Sequence, residues 1–360
     1  MSPTEINRIL NVAQQKACMG QLRDAEKILE FLLKVEKANF LALALLAQIR
    51  EALGDYTAAI ASYDEAIRVN PGHALPFTRR SILLARKSLA PLGQPRRRSP
   101  SRQFVTMRAL GANGRFGNQL LQYGFLRLYA ARVDAEAVAP DWIGRDLYGL
   151  DDPLLDAEVR PSADIGEDEV MAVVTGRRSG RANVDLRGYF CSSAASWSTE
   201  RDQFRSFFLH KGKAAEIVAS CVGALRNRGR TIVAIHIRRG DFGGDKYWIA
   251  PTLWYLDCIR ELWPLLENPV LYVATDDPKC VADFRGYSPV VADDLAPPTP
   301  GVEFLCDHAI LREADIVATS NSTFSVTAAL LNSTASRFFR PCIRQSKLIE
   351  FIPWASPILL

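Results

Sequence analysis

Two adjacent arginines, Arg238 and Arg239, directly follow an apolar run at 231–237. A guanidinium group is permanently charged and can bind two phosphate oxygens at once. Since neighbouring side chains of a strand point in opposite directions, we expect only one of these arginines to face a ligand, with His236 on the same face as Arg238. We expect the other arginine to anchor the turn through Asp241. The stretch therefore predicts an anion-binding turn at the end of a strand, which we call the arginine turn (238–241).

A second polar set, "SNSTFS" at 320–325, lies between an apolar run and a helical pattern that starts near Phe324. Its hydroxyl and backbone N–H groups can cap that helix, and a helix N-terminus also attracts an anion. Alone, the stretch is typical of a helix cap. Together with the two arginines it predicts a diphosphate site. The chain has no G-x-x-x-x-G-K-[ST] loop, which disfavours a P-loop enzyme.

These residues need a scaffold that brings strand ends together. From Phe104 onward, short apolar runs alternate with helical patterns, and further polar sets stand at 113–119 ("NGRFGNQ") and 275–277 ("TDD"). Such alternation predicts an α/β fold with parallel sheets, whose ligands bind beyond the carboxyl ends of the strands. We therefore expect two Rossmann-like halves, 104–225 and 226–360, facing a cleft.

Residues 1–88 have helical patterns that repeat after 34 positions, as between Gly20 and Gly54 and between Ala25 and Ala59. The second copy resembles a tetratricopeptide repeat, with glycine at the helix–helix turn and alanine where helices approach closely. An unrelated helical bundle is the alternative. Stacked repeats present a concave surface, so we expect an all-α module that binds a protein partner, associates with itself, or braces the structure.

The segment 89–103 contains three prolines and an arginine run at 96–98, and we expect a solvated linker there rather than an RNA-binding patch. A net charge of +4 over 360 residues requires neither nucleic acid nor a membrane surface. The seven cysteines include no C-x-x-C pair, so we expect reduced thiols and no structural zinc site. No stretch reaches membrane-spanning length and no signal-like segment is present, which favours a cytoplasmic protein without its own anchor.

Over about 104–345, the stretches "GRFGNQ", "HIRRGD", "ATDD" and "SNSTFS" occur in an order that resembles the fucosyltransferase superfamily. "SNSTFS" is most similar to the α1,2-fucosyltransferases, and "GRFGNQ" is shared with protein O-fucosyltransferases. The resemblance implies a GT-B fold in which 104–225 is the acceptor side and 226–360 binds the GDP-sugar. It also implies GDP-β-L-fucose as donor, inversion at the anomeric carbon, and neither metal nor other cofactor. It favours a bacterial-type cytoplasmic enzyme, peripheral to the assembly of membrane glycans.

The resemblance also implies roles for individual residues. Arg238 would bind the β-phosphate and stabilise the departing GDP. Asn118 would face the reacting sugar from the other half, and Asp241 would hold the arginine turn or the sugar. Asp241 and Asp245 are the candidates for a general base, and the sequence does not choose between them. The other positions assigned to donor binding are Gly117, His236, Arg239, Ser322, Thr323 and Phe324.

Asp307 stands at the start of a predicted helix and matches the guanine-binding aspartate of the family. A carboxylate can accept two hydrogen bonds from guanine N1–H and N2–H₂, which adenine cannot offer. The alternative is an ordinary acidic residue that the dipole of the helix N-terminus favours. The residues alone leave both interpretations open.

The acceptor also stays open. Our first choice is a glycan hydroxyl in α1,2 linkage, and the variant is a protein hydroxyl whose polypeptide the helical module recruits. A different sugar on GDP, such as mannose, is a third option, and an inactive repeat scaffold that senses GDP-sugar is a fourth. The segment 141–152, which includes Trp142, is a candidate to face the acceptor, although core packing is the commoner role of tryptophan. We expect Lys246 and Tyr247 in a mobile loop over the donor.

Overall fold

The structure, a computed structural model, describes residues 1–89, 95–243 and 247–360. It divides into two compact units, the helical unit (1–88) and the α/β unit (89–360). The prediction of an α/β chain with an N-terminal helical region and two parallel-sheet regions is confirmed. Within the described ranges, no helix has both the length and the apolar character needed to cross a membrane.

The helical unit contains two helix pairs and one further helix. They are α1 (Pro3–Cys18), α2 (Leu22–Val35), α3 (Phe40–Ala52), α4 (Tyr56–Val69) and α5 (Ala74–Leu89). Gly20 follows α1 with φ +78° and Gly54 follows α3 with φ +79°, and glycine adopts this left-handed backbone without steric cost. Ala25 and Ala59 are fully buried, where their small side chains let the helices pack closely.

The first sheet of the α/β unit has four short parallel strands in the order β2-β1-β4-β3. The strands are β1 (Phe104–Thr106), β2 (Glu136–Val138), β3 (Ala163–Ile165) and β4 (Val184–Leu186). The helices of this half are α6 (Phe116–Arg132), α7 (Gly144–Tyr148), α8 (Glu167–Val174) and α9 (Arg201–Ser206). The apolar run at 104–110 predicts a longer first strand than the structure has. Beyond the strand, the Arg108 N–H donates to the side-chain carboxylate of Asp185 in β4 (2.8 Å) instead of to a backbone carbonyl of a neighbouring strand, and this ends the ladder.

The second sheet has five strands in the order β6-β5-β7-β8-β9, all parallel except β9, which is antiparallel to β8. The strands are β5 (Thr231–Ile237), β6 (Pro269–Thr275), β7 (Ile316–Ala318), β8 (Arg337–Cys342) and β9 (Lys347–Glu350). Its helices are α10 (Gly212–Arg226), α11 (Thr252–Leu262), α12 (Leu305–Glu313) and α13 (Thr323–Leu331). Every residue of β5 after Thr231 is buried, as expected for a parallel strand that is covered on both faces.

Hydrogen bonds at the C-terminal end of α13 connect it to the first half and to the C-terminal segment. From the first half, Arg205 donates to the carbonyl oxygens of Leu330 (2.9 Å) and Asn332 (2.5 Å). The C-terminal segment adds Trp354, whose Nε1 donates to the Leu330 carbonyl (3.0 Å), and the Ser356 carbonyl, which accepts from the Ala194 N–H of the first half (2.9 Å). These bonds fix α13, and therefore its N-terminus, relative to the first half.

Candidate functional site

The order of the second sheet creates a crevice between β5 and β7. The chain leaves β5 through α11 toward β6 on one side, and it leaves β7 through α13 toward β8 on the other side. In open parallel sheets, ligands bind beyond the carboxyl ends of strands at such a reversal. The arginine turn follows β5, and the loop that contains Ser322 follows β7. Both polar stretches therefore stand at the position where a ligand is expected.

Arg238 is held between two carboxylates. Its Nη1 lies 2.9 Å from Asp276 Oδ2, and its Nη2 donates to Asp241. The side chain is 16% exposed, and its buried Nε has no hydrogen-bond partner among the described residues. The guanidinium also lies over the ring of Phe242, 5.4 Å from the ring centroid. The group is thus fixed in position and keeps one donor that is not used.

Arg239 has different partners. Its Nη2 donates to Thr252 Oγ1 at the start of α11 (2.9 Å), and its Nη1 donates to the Arg238 carbonyl (3.2 Å). The expectation that the second arginine anchors the turn through Asp241 is wrong, because Arg238 itself holds Asp241. The alternation of side chains along a strand predicted that the two guanidinium groups point in opposite directions, but it did not indicate which of them Asp241 would bind.

Asp276, in the "TDD" stretch after β6, organises the same turn. Its Oδ1 accepts from the Arg239 N–H (2.7 Å) while its Oδ2 pairs with Arg238. A Cβ atom on Gly240 would collide with Asp276 Oδ2, so only glycine lets the carboxylate approach the turn this closely. Sequence reasoning noted the stretch but did not select this aspartate, although its place at a strand end beside β5 was the available signal.

The loop after β7 caps α13 and binds the histidine of β5. Ser322 Oγ accepts from the Phe324 N–H (3.3 Å), a side-chain cap of the helix N-terminus. His236 Nδ1 lies 2.8 Å from Ser320 Oγ. Burial, with a smaller contribution from Arg238, lowers the pKa of His236 to about 3. The imidazole is therefore neutral at ordinary pH and links the two strand ends without adding charge. Thr323, the first residue of α13, lies between the cap and Phe324.

Residues 114–118 are the part of the first half that contacts α13 and the arginine turn. A Cβ atom on Gly117 would lie 2.5 Å from both the Phe324 nitrogen and the Thr323 carbonyl carbon, so α6 packs directly on the N-terminus of α13. The Asn118 side chain lies against Gly114, whose φ of +78° favours glycine. Arg115 Nη2 reaches Asp241 Oδ2 at 3.5 Å and connects the first half to the arginine turn.

A row of aromatic rings joins the same segments. Phe116 contacts His308 of α12 (5.1 Å between ring centroids), His308 contacts Phe324 (5.2 Å), and Phe324 contacts His236 (5.2 Å). Burial keeps the pKa of His308 well below its ordinary value. Four segments that are far apart in sequence therefore share one packed cluster. Arg115, Phe116 and His308 were not selected from the sequence, although the first two belong to a stretch that was.

Asp307 lies in the wall of a separate cavity of about 380 Å³, together with Thr275, Asp293 and Val302. Tyr272 Oη donates to Asp307 Oδ1 (2.6 Å). Burial raises the pKa of Asp307 from 3.8 to about 6; the Tyr272 hydrogen bond opposes this increase, and the Asp293 charge adds to it. No described residue of the arginine turn lines this cavity. Nothing in the sequence singled out Tyr272, which is one of several apolar-looking positions in β6.

Several sequence expectations lie elsewhere. Asp245 and Lys246 lie outside the described residues. Trp142 and Tyr148 are almost fully buried, which agrees with core packing, the commoner role of tryptophan, and not with rings of 141–152 that face an acceptor. Within the described part of the chain, no group of three or more His, Cys, Asp or Glu side chains could hold a metal ion.

The helical unit has a larger cavity of its own, about 920 Å³, between α3, α4 and α5. Tyr56, Ile60 and Leu83 are among its apolar lining residues, and Glu51, Arg86 and Lys87 also line it. The four polar stretches of the α/β unit do not contribute to it.

Comparison with known proteins gives similarity only at the level of solved structures. No family model matches the chain, and no curated protein matches it. The fucosyltransferase NodZ from Bradyrhizobium, an α-1,6-fucosyltransferase soaked with GDP-fucose, is 16% identical over 70% of this chain and 99% of its own, with a TM-score of 0.46. A variant of FUT1 from Arabidopsis thaliana in complex with GDP is 13% identical over 77% of this chain and 82% of its own, with a TM-score of 0.49.

A third similar structure matches a smaller part of the chain. The type III secretion translocator chaperone SycD from Yersinia enterocolitica is 21% identical over 24% of this chain, with a TM-score of 0.24, and the match spans 60% of the chaperone. Because these scores and identities are low, the similarities establish neither a family nor an activity for this chain.

Proposed function

We propose that the chain is a glycosyltransferase that moves L-fucose from GDP-fucose to a glycan hydroxyl in α1,2 linkage, with inversion and without a metal. One observation carries the proposal: the fixed guanidinium of Arg238 follows β5 and the capped N-terminus of α13 follows β7, the two neighbouring strands between which the strand order reverses and a parallel sheet binds its ligand. The resemblance of the four polar stretches to fucosyltransferases supplies the choice of sugar.

The proposed phosphate site has two sources of positive potential. Arg238 is permanently charged and can bind two phosphate oxygens, and Thr323 begins α13, a helix whose N-terminal dipole favours an anion. In the structure, Asp241 and Asp276 neutralise Arg238. A diphosphate would compete for the guanidinium with Asp241, the more exposed of the two carboxylates (44% against 25%).

The proposed base site is the cavity beside Asp307. A volume of about 380 Å³ can hold a purine, and Asp307 offers carboxylate oxygens to the N1–H and N2–H₂ donors of guanine. Tyr272 fixes the carboxylate through Oδ1. The packed rings of His236 and Phe324 lie between the phosphate site and α12, and we assign to them the support of the nucleotide.

The proposed reaction breaks the bond between the fucose anomeric carbon and the β-phosphate oxygen. The acceptor oxygen forms the new bond from the opposite face, and its proton leaves to a base or to water. The negative charge that develops on GDP falls beside donors that are already in place, which lowers the barrier without reorganisation. The Asp241 carboxylate contacts both Arg238 and Arg115, so we assign it to positioning these cations. We assign Asn118 to orienting the sugar.

Calorimetric titration with GDP, GDP-fucose and UDP, followed by transfer from labelled GDP-fucose in the presence of a chelator, tests the proposal. We expect binding of both guanine nucleotides, no binding of UDP, and transfer to at least one member of a glycan panel. Arg238→Ala should lower kcat by about 10²–10³-fold, as loss of a preorganised donor does elsewhere. The matched control is Arg260→Ala, which removes an exposed arginine that also pairs with a carboxylate. Preference for UDP, or full activity of Arg238→Ala, would overturn the assignment.

Transfer to a protein hydroxyl is a second candidate, and the cavity of the helical unit favours it. Its apolar lining residues and its basic Arg86 and Lys87 suit an extended acidic polypeptide. Tyr56, which lines this cavity, is 57% exposed, so Tyr56→Ala should raise KM for a peptide acceptor and leave kcat unchanged. Equal KM values in the two proteins would favour the glycan acceptor. Tight GDP-fucose binding with neither transfer nor hydrolysis would favour the alternative of an inactive sensor.

A further inference from the structure

Two cysteine thiols lie beside Asp307 in the wall of the 380 Å³ cavity. Cys221 comes from α10 and is 1% exposed; Cys306 comes from the first turn of α12 and is 8% exposed. Cys306 is the residue directly before Asp307, so its position and that of the carboxylate are coupled through the backbone. The proposed transfer reaction uses neither thiol.

Cys221 and Cys306 belong to one buried cluster, and both line the cavity wall beside the hydrogen-bond network of Asp307. Tyr272 Oη lies 4.0 Å from Cys306 Sγ, and the same hydroxyl donates to Asp307 Oδ1 at 2.6 Å. A change at the sulfur pair must therefore reach Asp307 through Tyr272 as well as through the backbone. Cys280 has a different environment, since its Sγ lies 3.4 Å from Thr275 Oγ1.

We propose that Cys221 and Cys306 form a dithiol site that a small peroxide oxidises to an intramolecular disulfide, and that this bond closes the base cavity. The proposal that nucleotide binding is regulated in this way rests on the function proposed above. Formation of the covalent bond draws α10 toward α12 at the cavity wall and displaces Asp307 from Tyr272. The oxidised protein then lacks the carboxylate geometry that guanine requires.

The chemistry balances with a peroxide as the only co-reactant. The Cys221 thiol loses its proton and the thiolate attacks one peroxide oxygen; the O–O bond breaks, Cys221 becomes a sulfenic acid, and the departing hydroxide takes up that proton and leaves as water. The Cys306 sulfur then attacks the Cys221 sulfur, and the hydroxyl departs with the Cys306 proton as a second water. The hydrogen bond from Cys306 lowers the pKa of Cys221, whereas the same contact and burial raise the pKa of Cys306. Cys221 is therefore the attacking sulfur and Cys306 the resolving one.

The test maps the bond and measures nucleotide binding on the same sample. The full chain is reduced, freed of reductant and treated with one equivalent of hydrogen peroxide, and remaining thiols are alkylated. We expect non-reducing peptide mass spectrometry to find the peptides of Cys221 and Cys306 joined. We expect calorimetry to give a GDP affinity at least about 10-fold weaker, which dithiothreitol restores. Bound GDP should slow the oxidation, because it covers both sulfurs.

Variants separate this site from the other cysteines. Cys221→Ser and Cys306→Ser, each compared with itself before and after peroxide, should form no such bond and keep their GDP affinity, whereas Cys280→Ser should respond like the unchanged chain. Absence of the joined peptides, or a complete disulfide without loss of affinity, would overturn the proposal. Peptide mapping needs no ligand, so a disulfide in a protein that never binds GDP would support the dithiol site and overturn the nucleotide function.

Discussion

Replacement of Asp307 by asparagine should make the protein more stable and weaken its binding of GDP. Burial raises the pKa of the Asp307 carboxyl from 3.8 to about 6, so ionisation of this group in the folded state is unfavourable. Such a rise in pKa corresponds to a cost of about 3 kcal/mol for ionising the carboxyl in the folded protein rather than in the unfolded chain. The side chain is only partly buried, and solvent screens part of this effect. We therefore expect Asp307→Asn to raise the free energy of unfolding by about 1–2 kcal/mol at about pH 8.

The gain should depend on pH in a defined direction. Because the pKa of Asp307 is higher in the folded protein than in the unfolded chain, the folded state retains the proton longer, and the ionised carboxyl lowers stability fully only above about pH 6. As pH falls from about 6 toward about 3.5, the difference between variant and unchanged chain should fade. The low pKa values of His236 and His308 reduce stability in acid for both proteins, so they cancel in this difference.

The same substitution should change the preferred base. Asparagine offers one acceptor and an N–H₂ donor, and that donor opposes the N2–H₂ group of guanine. Loss of one charge-assisted hydrogen bond predicts a GDP affinity about 10- to 100-fold lower. Xanthine carries a carbonyl where guanine carries the amino group, so xanthosine diphosphate should bind Asp307→Asn better than it binds the unchanged chain.

Urea unfolding across this pH range and calorimetry with both nucleotides give the two readouts. Asp283→Asn, at an exposed aspartate, is the matched control and should alter neither. Unchanged stability at all pH values would refute the cost that we attribute to the buried charge. Unchanged GDP affinity would show that Asp307 does not contact the base.

Three further predictions follow from the packing of the site. Gly117→Ala places a methyl group against the backbone of α13, so it should lower the free energy of unfolding by about 1–3 kcal/mol and weaken GDP binding. In Gly223→Ala the added Cβ meets no atom within 4 Å, so this control should raise the free energy of unfolding by about 0.5–1 kcal/mol. Urea unfolding and calorimetry compare the two variants. The imidazole of His236, with a pKa of about 3, should stay neutral by nitrogen NMR down to about pH 5, and a charged ring there would contradict the burial argument. Tyr272→Phe removes a hydrogen bond that lowers the pKa of Asp307, so the loss of GDP affinity in acid should begin at a higher pH. An unchanged dependence of GDP affinity on pH would show that Tyr272 does not act on Asp307.

The sequence predicted the sheets better than it predicted the partners of individual side chains. The buried run that forms β5 and the polar loops at the ends of β5 and β7 could be found from the sequence, because apolar runs and cap residues are local signals. Strand order places those loops next to each other, and strand order depends on contacts that are distant in sequence. The short strand β1 was overextended, since the carboxylate of Asp185 that ends it comes from another strand.

The charged partners were the least predictable part of the site. We expected Arg239 to bind Asp241, but Arg238 pairs with both Asp241 and Asp276. Gly240 lets the Asp276 carboxylate, which follows the neighbouring strand β6, approach the turn. Tyr272 has no polar neighbours in sequence, and its contact with Asp307 arises only when β6 packs beside α12. Such pairs are set by distances between elements and leave no periodic pattern in one sequence.

The central claim is that Arg238 binds the β-phosphate of a guanine nucleotide, and a cycle with two ligands tests it most directly. Calorimetry in the presence of a chelator would compare GDP with GMP on the unchanged chain, on Arg238→Ala and on the control Arg260→Ala. The account predicts that GDP binds about 100-fold more tightly than GMP to the unchanged chain and to the control, and that the preference falls to about threefold or less in Arg238→Ala. An equal preference for GDP in all three proteins would contradict it.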